Sequence, residues 1–158
     1  MALSKQRRSE CRRYLPHLQN GVQPLFVSMT TRQQWELPPA ARTIGLEHIL
    51  RENEARIQLY AAVVMPDHVH SLFSPLEDQR GQPFGLAEIM NGMRGPSAHR
   101  INRLLQRHGA VWEEEFFDRL PRYGEFDGCV DYIVENPVKV GLVKRWEDYP
   151  WLWLHEQL

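Results

Sequence analysis

Val63-Val64-Met65-Pro66-Asp67-His68-Val69-His70-Ser71-Leu72-Phe73 reads as a strand, a tight turn and a second strand. Pro66-Asp67 supplies the turn, and the residues around it are mostly apolar. Residues two apart in a strand share a face, so His68 and His70 project together. Imidazole suits divalent transition metals, and two on one face make half a metal site. The same pair also fits a polar edge strand with no ligand at all. A helix much further along the chain bears on that choice.

Working outward, Leu25, Val27 and Met29 alternate with Phe26, Ser28 and Thr30, which predicts a strand over 23–31. Pro38-Pro39 breaks the chain. Ile44, Leu46, Ile49 and Leu50 then recur at helical spacing, predicting a helix over 40–56. Residues 58–65 are almost continuously apolar and fit a central strand, and 68–74 run back beside it. After a polar loop over 77–85, Leu86, Ile89, Met90 and Met93 form a helical stripe that Gly95-Pro96 is expected to end. Ser97 then caps a second stretch carrying Ile101, Leu104 and Leu105, with Gly109 as its stop. Residues 110–120 read as a strand, and Glu113-Glu114-Glu115 put it at a bend or an edge. Residues 125–136 read as a helix halted by Pro137. The order predicts an α+β fold, a ferredoxin-like antiparallel sheet with helices on one face and a further C-terminal helix. A single domain over 1–158 is expected, with a basic arm at 1–22 and a tail at 144–158.

Composition narrows the class. The chain has 158 residues, 42% hydrophobic and 25% charged, with a formal net charge of -1, which excludes a uniformly basic nucleic-acid binder. Charge is distributed unevenly. Arg7, Arg8, Arg12 and Arg13 crowd the N-terminal arm, and Arg94, Arg100, Arg103 and Arg107 follow one another without an intervening acid. These eight arginines are the candidate polyanion contacts, the alternative being ordinary solvated surface. Residues 113–135 are acidic, and the run over 113–118 is expected to face away from a polyanion. No apolar run approaches the ~18 residues that cross a membrane. Cys11 and Cys129 stand apart with no metal-type spacing, which fits reduced thiols in a cytoplasmic protein.

The helix over 125–136 holds the other half of the site. Phe126, Cys129, Val130, Ile133 and Pro137 form its apolar stripe. At ~100° per residue, Tyr132 lies well off that stripe, and Asn136 sits one turn on, on the same side. A hydroxyl nucleophile and an amide oxygen can therefore reach one point. A surface tyrosine before a helix-ending Asn-Pro gives the same pattern.

His68-Val69-His70 after Met65-Pro66-Asp67 resembles the His-hydrophobic-His motif of the single-tyrosine HUH transposases. Tyr132-Ile133-Val134-Glu135-Asn136-Pro137-Val138-Lys139-Val140-Gly141-Leu142-Val143 resembles the second signature of their REP-associated tyrosine transposase branch. Trp112 with Phe117-Asp118 is similar to the segment that precedes it there. The resemblance implies a ferredoxin-like domain that cuts and rejoins single-stranded DNA near a hairpin. It assigns Tyr132 as the catalytic nucleophile on a catalytic C-terminal helix. It assigns His68, His70 and Asn136 as ligands of a divalent metal; mixed N and O ligands fit magnesium or manganese, and ligand type also admits zinc. The implied partner is single-stranded hairpin DNA, with no membrane, and the protein is expected to act as monomer or homodimer in the cytoplasm, at the nucleoid.

A phenol is only about one part in a thousand ionised at pH 7, so attack on a phosphodiester needs help, which a metal can give. A covalent link keeps the bond energy for rejoining. Two rivals predict other outcomes. A metal-dependent nuclease would cut without Tyr132, and a catalytically silent hairpin-binding module would not cut at all.

Overall fold

The computed structural model describes residues 22–158. Among them run β1 (Leu25–Thr31), α1 (Pro39–Glu52), β2 (Ile57–Val64), β3 (His68–Pro75), α2 (Leu86–Leu105), β4 (Trp112–Arg119), α3 (Phe126–Lys139) and β5 (Leu152–Leu154). The five strands form one antiparallel sheet in the order β4-β1-β3-β2-β5. The first four carry the ferredoxin-like arrangement expected from the element order. Arg7, Arg8, Arg12 and Arg13 lie outside the described residues.

β2 is apolar throughout because both its faces are covered. Leu59, Ala62 and Val64 point into one core with Val69 and Phe73, beneath Ile44 and Ile49 of α1 and Ile89, Met90, Met93 and Ile101 of α2. Tyr60, Ala61, Val63 and Met65 point the other way with Phe26 and Leu72, beneath Cys129, Val130, Ile133 and Val134 of α3. A register shift between Leu59 and Ala61 accommodates the change in alternation. α1 and α2 thus share one face of the sheet, and α3 lies on the other.

The β2–β3 turn is tied down from three sides. Met65 N–H donates to the His68 carbonyl at 2.8 Å, Leu37 N–H to the Pro66 carbonyl at 2.7 Å, and Thr31 N–H to the Asp67 carbonyl at 2.9 Å. The start of the histidine strand is therefore fixed by backbone groups from β1 and the segment before α1.

Several boundaries differ from the sequence expectation, and α1 ends at Glu52 rather than at 56. α2 runs unbroken through Gly95-Pro96 to Leu105. A mid-helix proline costs about 3 kcal/mol, but the buried stripe from Ile89 to Ile101 spans it, and each such side chain is worth roughly 1.5–3 kcal/mol. Ser97 does not cap a new helix. Its hydroxyl donates to the Arg94 carbonyl and accepts from the Trp112 indole at 2.9 Å, pinning β4 to the helix at the proline. α3 likewise continues past Pro137 to Lys139. In the last turn the proline forfeits one hydrogen bond, and the chain leaves the helix at Gly141, where φ is +79°. Finally, the tail adds a strand. β5 pairs Leu152 with Val63 and Leu154 with Ala61, closing the outer edge of β2.

Candidate active site

The site lies on the α3 face of the sheet. Strand alternation places His68 and His70 there, and the register sets Ser28 opposite His70 and Thr30 opposite His68. The two imidazoles meet edge to face with centroids 4.7 Å apart. α3 lays Tyr132 against them, its ring centroid 5.2 Å from that of His70 and 5.8 Å from that of Phe26. Tyr132 stays 44% exposed, so its hydroxyl side is open to a large substrate. All of these side chains belong to one chain.

Both histidines are oriented through Nδ1. His68 Nδ1 lies 2.6 Å from Asp67 Oδ1, and His70 Nδ1 lies 2.6 Å from Ser28 Oγ. With Nδ1–H donating in each pair, both Nε2 atoms keep lone pairs for an outside partner, the arrangement metal-binding histidines use. His70 is buried, and that burial, aided by the neighbouring His68, pushes its pKa down to about 4. It is neutral at pH 7, as a ligand must be.

Asn136 tests the fit of a metal independently. Its side chain is buried and its Oδ1 has no hydrogen-bond partner. Such an orphan costs about 1–3 kcal/mol unless something meets it. Among the described residues no cluster of three or more His, Cys, Asp or Glu is placed to hold a metal. A cation here would rest on two imidazoles and the neutral Asn136 oxygen, a mixed N and O set.

The arginines of α2 lie on the opposite side of the sheet from Tyr132. Arg94 donates to the backbone carbonyls of Glu113 and Glu114 and stacks on Phe116, which fastens β4 to α2. Arg100 pairs with Glu47 at 2.7 Å. Arg107 donates to Asn102 Oδ1 and lies 3.9 Å over the Trp35 ring. Arg103 and Arg107, with His99 and His108, line a recess of about 460 Å3 at the end of α2. The acidic run 113–115 sits on edge strand β4, as its composition suggested.

Sequence reading missed several neighbours of the site. Ser28 is a strand residue 42 positions before His70, and only the register reveals the contact. Asp67 was visible as a turn residue, and its adjacency to His68 was the available signal. Lys139 Nζ lies 5.5 Å from the Tyr132 ring, about two helical turns further along α3. Phe117 and Arg119 of β4 reach the same face through their pairing with Ser28 and Phe26.

Comparison with known proteins bears on the family and the fold. The sequence profile of the family described as Transposase IS200 like matches residues 41–126, more than half of the chain and inclusive of His68 and His70. A protein of Haemophilus influenzae described as a REP-associated tyrosine transposase is 28% identical over 104 residues, covering 62% of this chain. The match spans 59% of that relative's length. Among solved structures, a REP-associated tyrosine transposase bound to a REP hairpin superposes with a TM-score of 0.66 at 22% identity, covering 82% of this chain and 75% of that one. No helix among the described residues is long and apolar enough to cross a membrane.

Proposed function

This chain belongs to the IS200-like transposase family, and from that premise we propose that it cleaves and rejoins single-stranded DNA beside a hairpin through a 5′-phosphotyrosine intermediate on Tyr132. The observation that carries the reading is the convergence of Tyr132 on His70, ring centroids 5.2 Å apart, with the unpartnered Asn136 oxygen one turn further along the same helix. A surface tyrosine with no role would not need a buried, unsatisfied neighbour.

In the proposed reaction Tyr132 Oη attacks the scissile phosphorus as its proton leaves. The bond from phosphorus to the 3′ oxygen breaks, and the departing strand ends in a 3′ hydroxyl after taking up a proton. A 3′ hydroxyl from the same or another strand reverses the step, restoring the phosphodiester and the phenol, with no net hydrolysis. His68, His70 and Asn136 would hold a divalent cation, magnesium or manganese, whose charge offsets that growing on the phosphate. Asp67 and Ser28 position the imidazoles. Phe26 packs against both His70 and Tyr132 and sets the angle between them.

The hairpin is proposed as the ligand class because the structural relative of like fold was solved on one. Arg100, Arg103 and Arg107 on the helical layer, with Arg7, Arg8, Arg12 and Arg13 of the arm, would meet its phosphates. Each neutralised phosphate steepens the salt dependence of binding. The place of action would be the nucleoid, in the cytoplasm.

Incubation with a panel of hairpin-bearing single strands and manganese tests the reading. The expected product is a protein–DNA adduct that survives a denaturing gel. Tyr132→Phe should bind DNA and form no adduct, and His68→Ala with His70→Ala should also form none. Strand cutting by Tyr132→Phe at near wild-type rate would refute the covalent mechanism and favour a metal-dependent nuclease.

A further inference from the structure

Attack by a phenol puts negative charge on two groups, the phosphate and the phenol oxygen. His68, His70 and Asn136 answer to the phosphate. None of them answers the charge on Tyr132 Oη itself. A cation does lie over that ring. Lys139 Nζ is 5.5 Å from its centroid. Lys139 ends α3, and seven residues place its backbone about 10 Å beyond that of Tyr132 along the helix axis. A lysine in a last turn offsets the helix dipole wherever its side chain points. Reaching a ring two turns back is a separate fact, because the whole side chain must fold towards the N-terminus of the helix.

Two neighbours decide whether this ammonium is available to the phenol. Glu135 Oε2 lies 3.8 Å from Lys139 Nζ, against 2.7 Å in the Arg100–Glu47 pair. Both side chains are about half exposed, and so loose a surface pair holds little. Glu135 therefore steadies the lysine without drawing it off the ring. Arg119 is the other cation at this end of the sheet. Its guanidinium is 3.1 Å from Glu125 Oε2 and 3.5 Å from Cys129 Sγ, and it lies over Phe26. Its charge is already met by a carboxylate and its face by another ring, which leaves Lys139 as the cation set over Tyr132.

We propose that Lys139 is the charge partner of the Tyr132 phenol, stabilising Oη as it gains negative charge in both directions of strand transfer. It acts through Tyr132 and needs no contact with the DNA. In cleavage the bond from Oη to phosphorus forms as the phenol proton leaves to water, and the 3′ oxygen departs. In rejoining the 3′ hydroxyl loses its proton, its oxygen bonds to phosphorus, and the electron pair of the broken bond returns to Oη beside Lys139. This use rests on the strand-transfer reading, whereas the pairing of ammonium with phenol does not. A half-exposed cation at this distance is worth roughly three- to tenfold in rate, and salt screens it.

The pairing is tested on the full chain without DNA or metal. N-acetylimidazole transfers its acetyl group to a phenol oxygen and releases imidazole, and mass spectrometry reads the labelling of each tyrosine. Tyr123, which is fully exposed, is the reference within the same molecule. The ratio of Tyr132 to Tyr123 labelling should fall roughly three- to tenfold in Lys139→Gln and recover in Lys139→Arg. In wild type it should also fall as salt is raised to ~1 M. Glu135→Gln removes the opposing carboxylate and should raise it. Lys139 is exposed and glutamine is nearly as good a helix former, so the variant folds. An unchanged ratio in Lys139→Gln, or a loss that arginine does not restore, overturns the assignment. On the denaturing gel, Lys139→Gln should slow both adduct formation and its reversal at saturating hairpin DNA, again with rescue by Lys139→Arg. A changed labelling ratio with no adduct from wild type upholds the pairing and overturns strand transfer. Adduct formation at wild-type rate in Lys139→Gln upholds strand transfer and overturns this role of Lys139.

Discussion

His70 is buried beside another histidine, and both facts oppose its protonation. Its folded pKa of about 4 lies below the usual 6.5 of the unfolded chain, so the unfolded state binds the extra proton first. The stabilisation is therefore fully present above about pH 6.5 and drains away as the pH falls towards 4. Linkage gives roughly 2 kcal/mol lost by pH 5. His48 is shifted the same way, by its burial and then by Arg51 and Arg100, and adds to the trend. His70→Gln can keep a hydrogen bond to Ser28 without titrating. Urea unfolding at pH 7.5 and pH 5, without metal, should show a smaller loss in this variant than in wild type. Equal losses would mean that His70 is solvated or already charged. At this scale the sequence was informative where geometry is local. The facing of His68 with His70 follows from a strand's period of two, and that of Tyr132 with Asn136 from a helix turn. Ser28, Phe117 and Arg119 were hidden because their place beside the site depends on pairing between distant strands.

Elements were legible where an apolar stripe ran for several turns and illegible where a single residue type was allowed to decide a boundary. Pro96 and Pro137 both suggested helix ends, and both lie inside helices. Burial on either side of Pro96 outweighs the local penalty, and Pro137 falls in a last turn where few hydrogen bonds remain to lose. Three residues of β5 are too few to show a period, so its pairing with β2 could not be read either. The end of α3 offers a clean measurement. Gly141 holds φ at +79°, and a Cβ there would meet nothing within 4 Å. Gly141→Ala should therefore cost backbone strain alone, about 1–2 kcal/mol. For a chain of this size that lowers the melting temperature by roughly 2–8 °C. An unchanged melting temperature would mean that the helix end relaxes without the left-handed residue.

At the scale of the whole molecule, the issue is whether one chain makes one site. The ferredoxin-like sheet puts α3 on the opposite face from α1 and α2, and α3 buries Val130, Ile133 and Val134 against its own β2 and β3. Tyr132 consequently meets His70 of its own chain. Either a monomer or a homodimer could be built from such a unit, but in both Tyr132 and the histidines would come from the same polypeptide. Mixing two inactive variants separates this from an exchanged arrangement. One partner carries Tyr132→Phe, and the other carries His68→Ala with His70→Ala. If α3 were exchanged across a two-fold axis, mixed dimers would regain a site with both wild-type halves, and roughly a quarter of all sites would recover. With the site built in one chain, each polypeptide keeps its own defect, and the mixture should form no more adduct than the variants do separately. Co-expression, or mixing through a cycle of unfolding and refolding, removes slow subunit exchange as an explanation for a silent mixture. Recovery of adduct after such mixing would show that α3 leaves its own sheet in the species that forms the adduct.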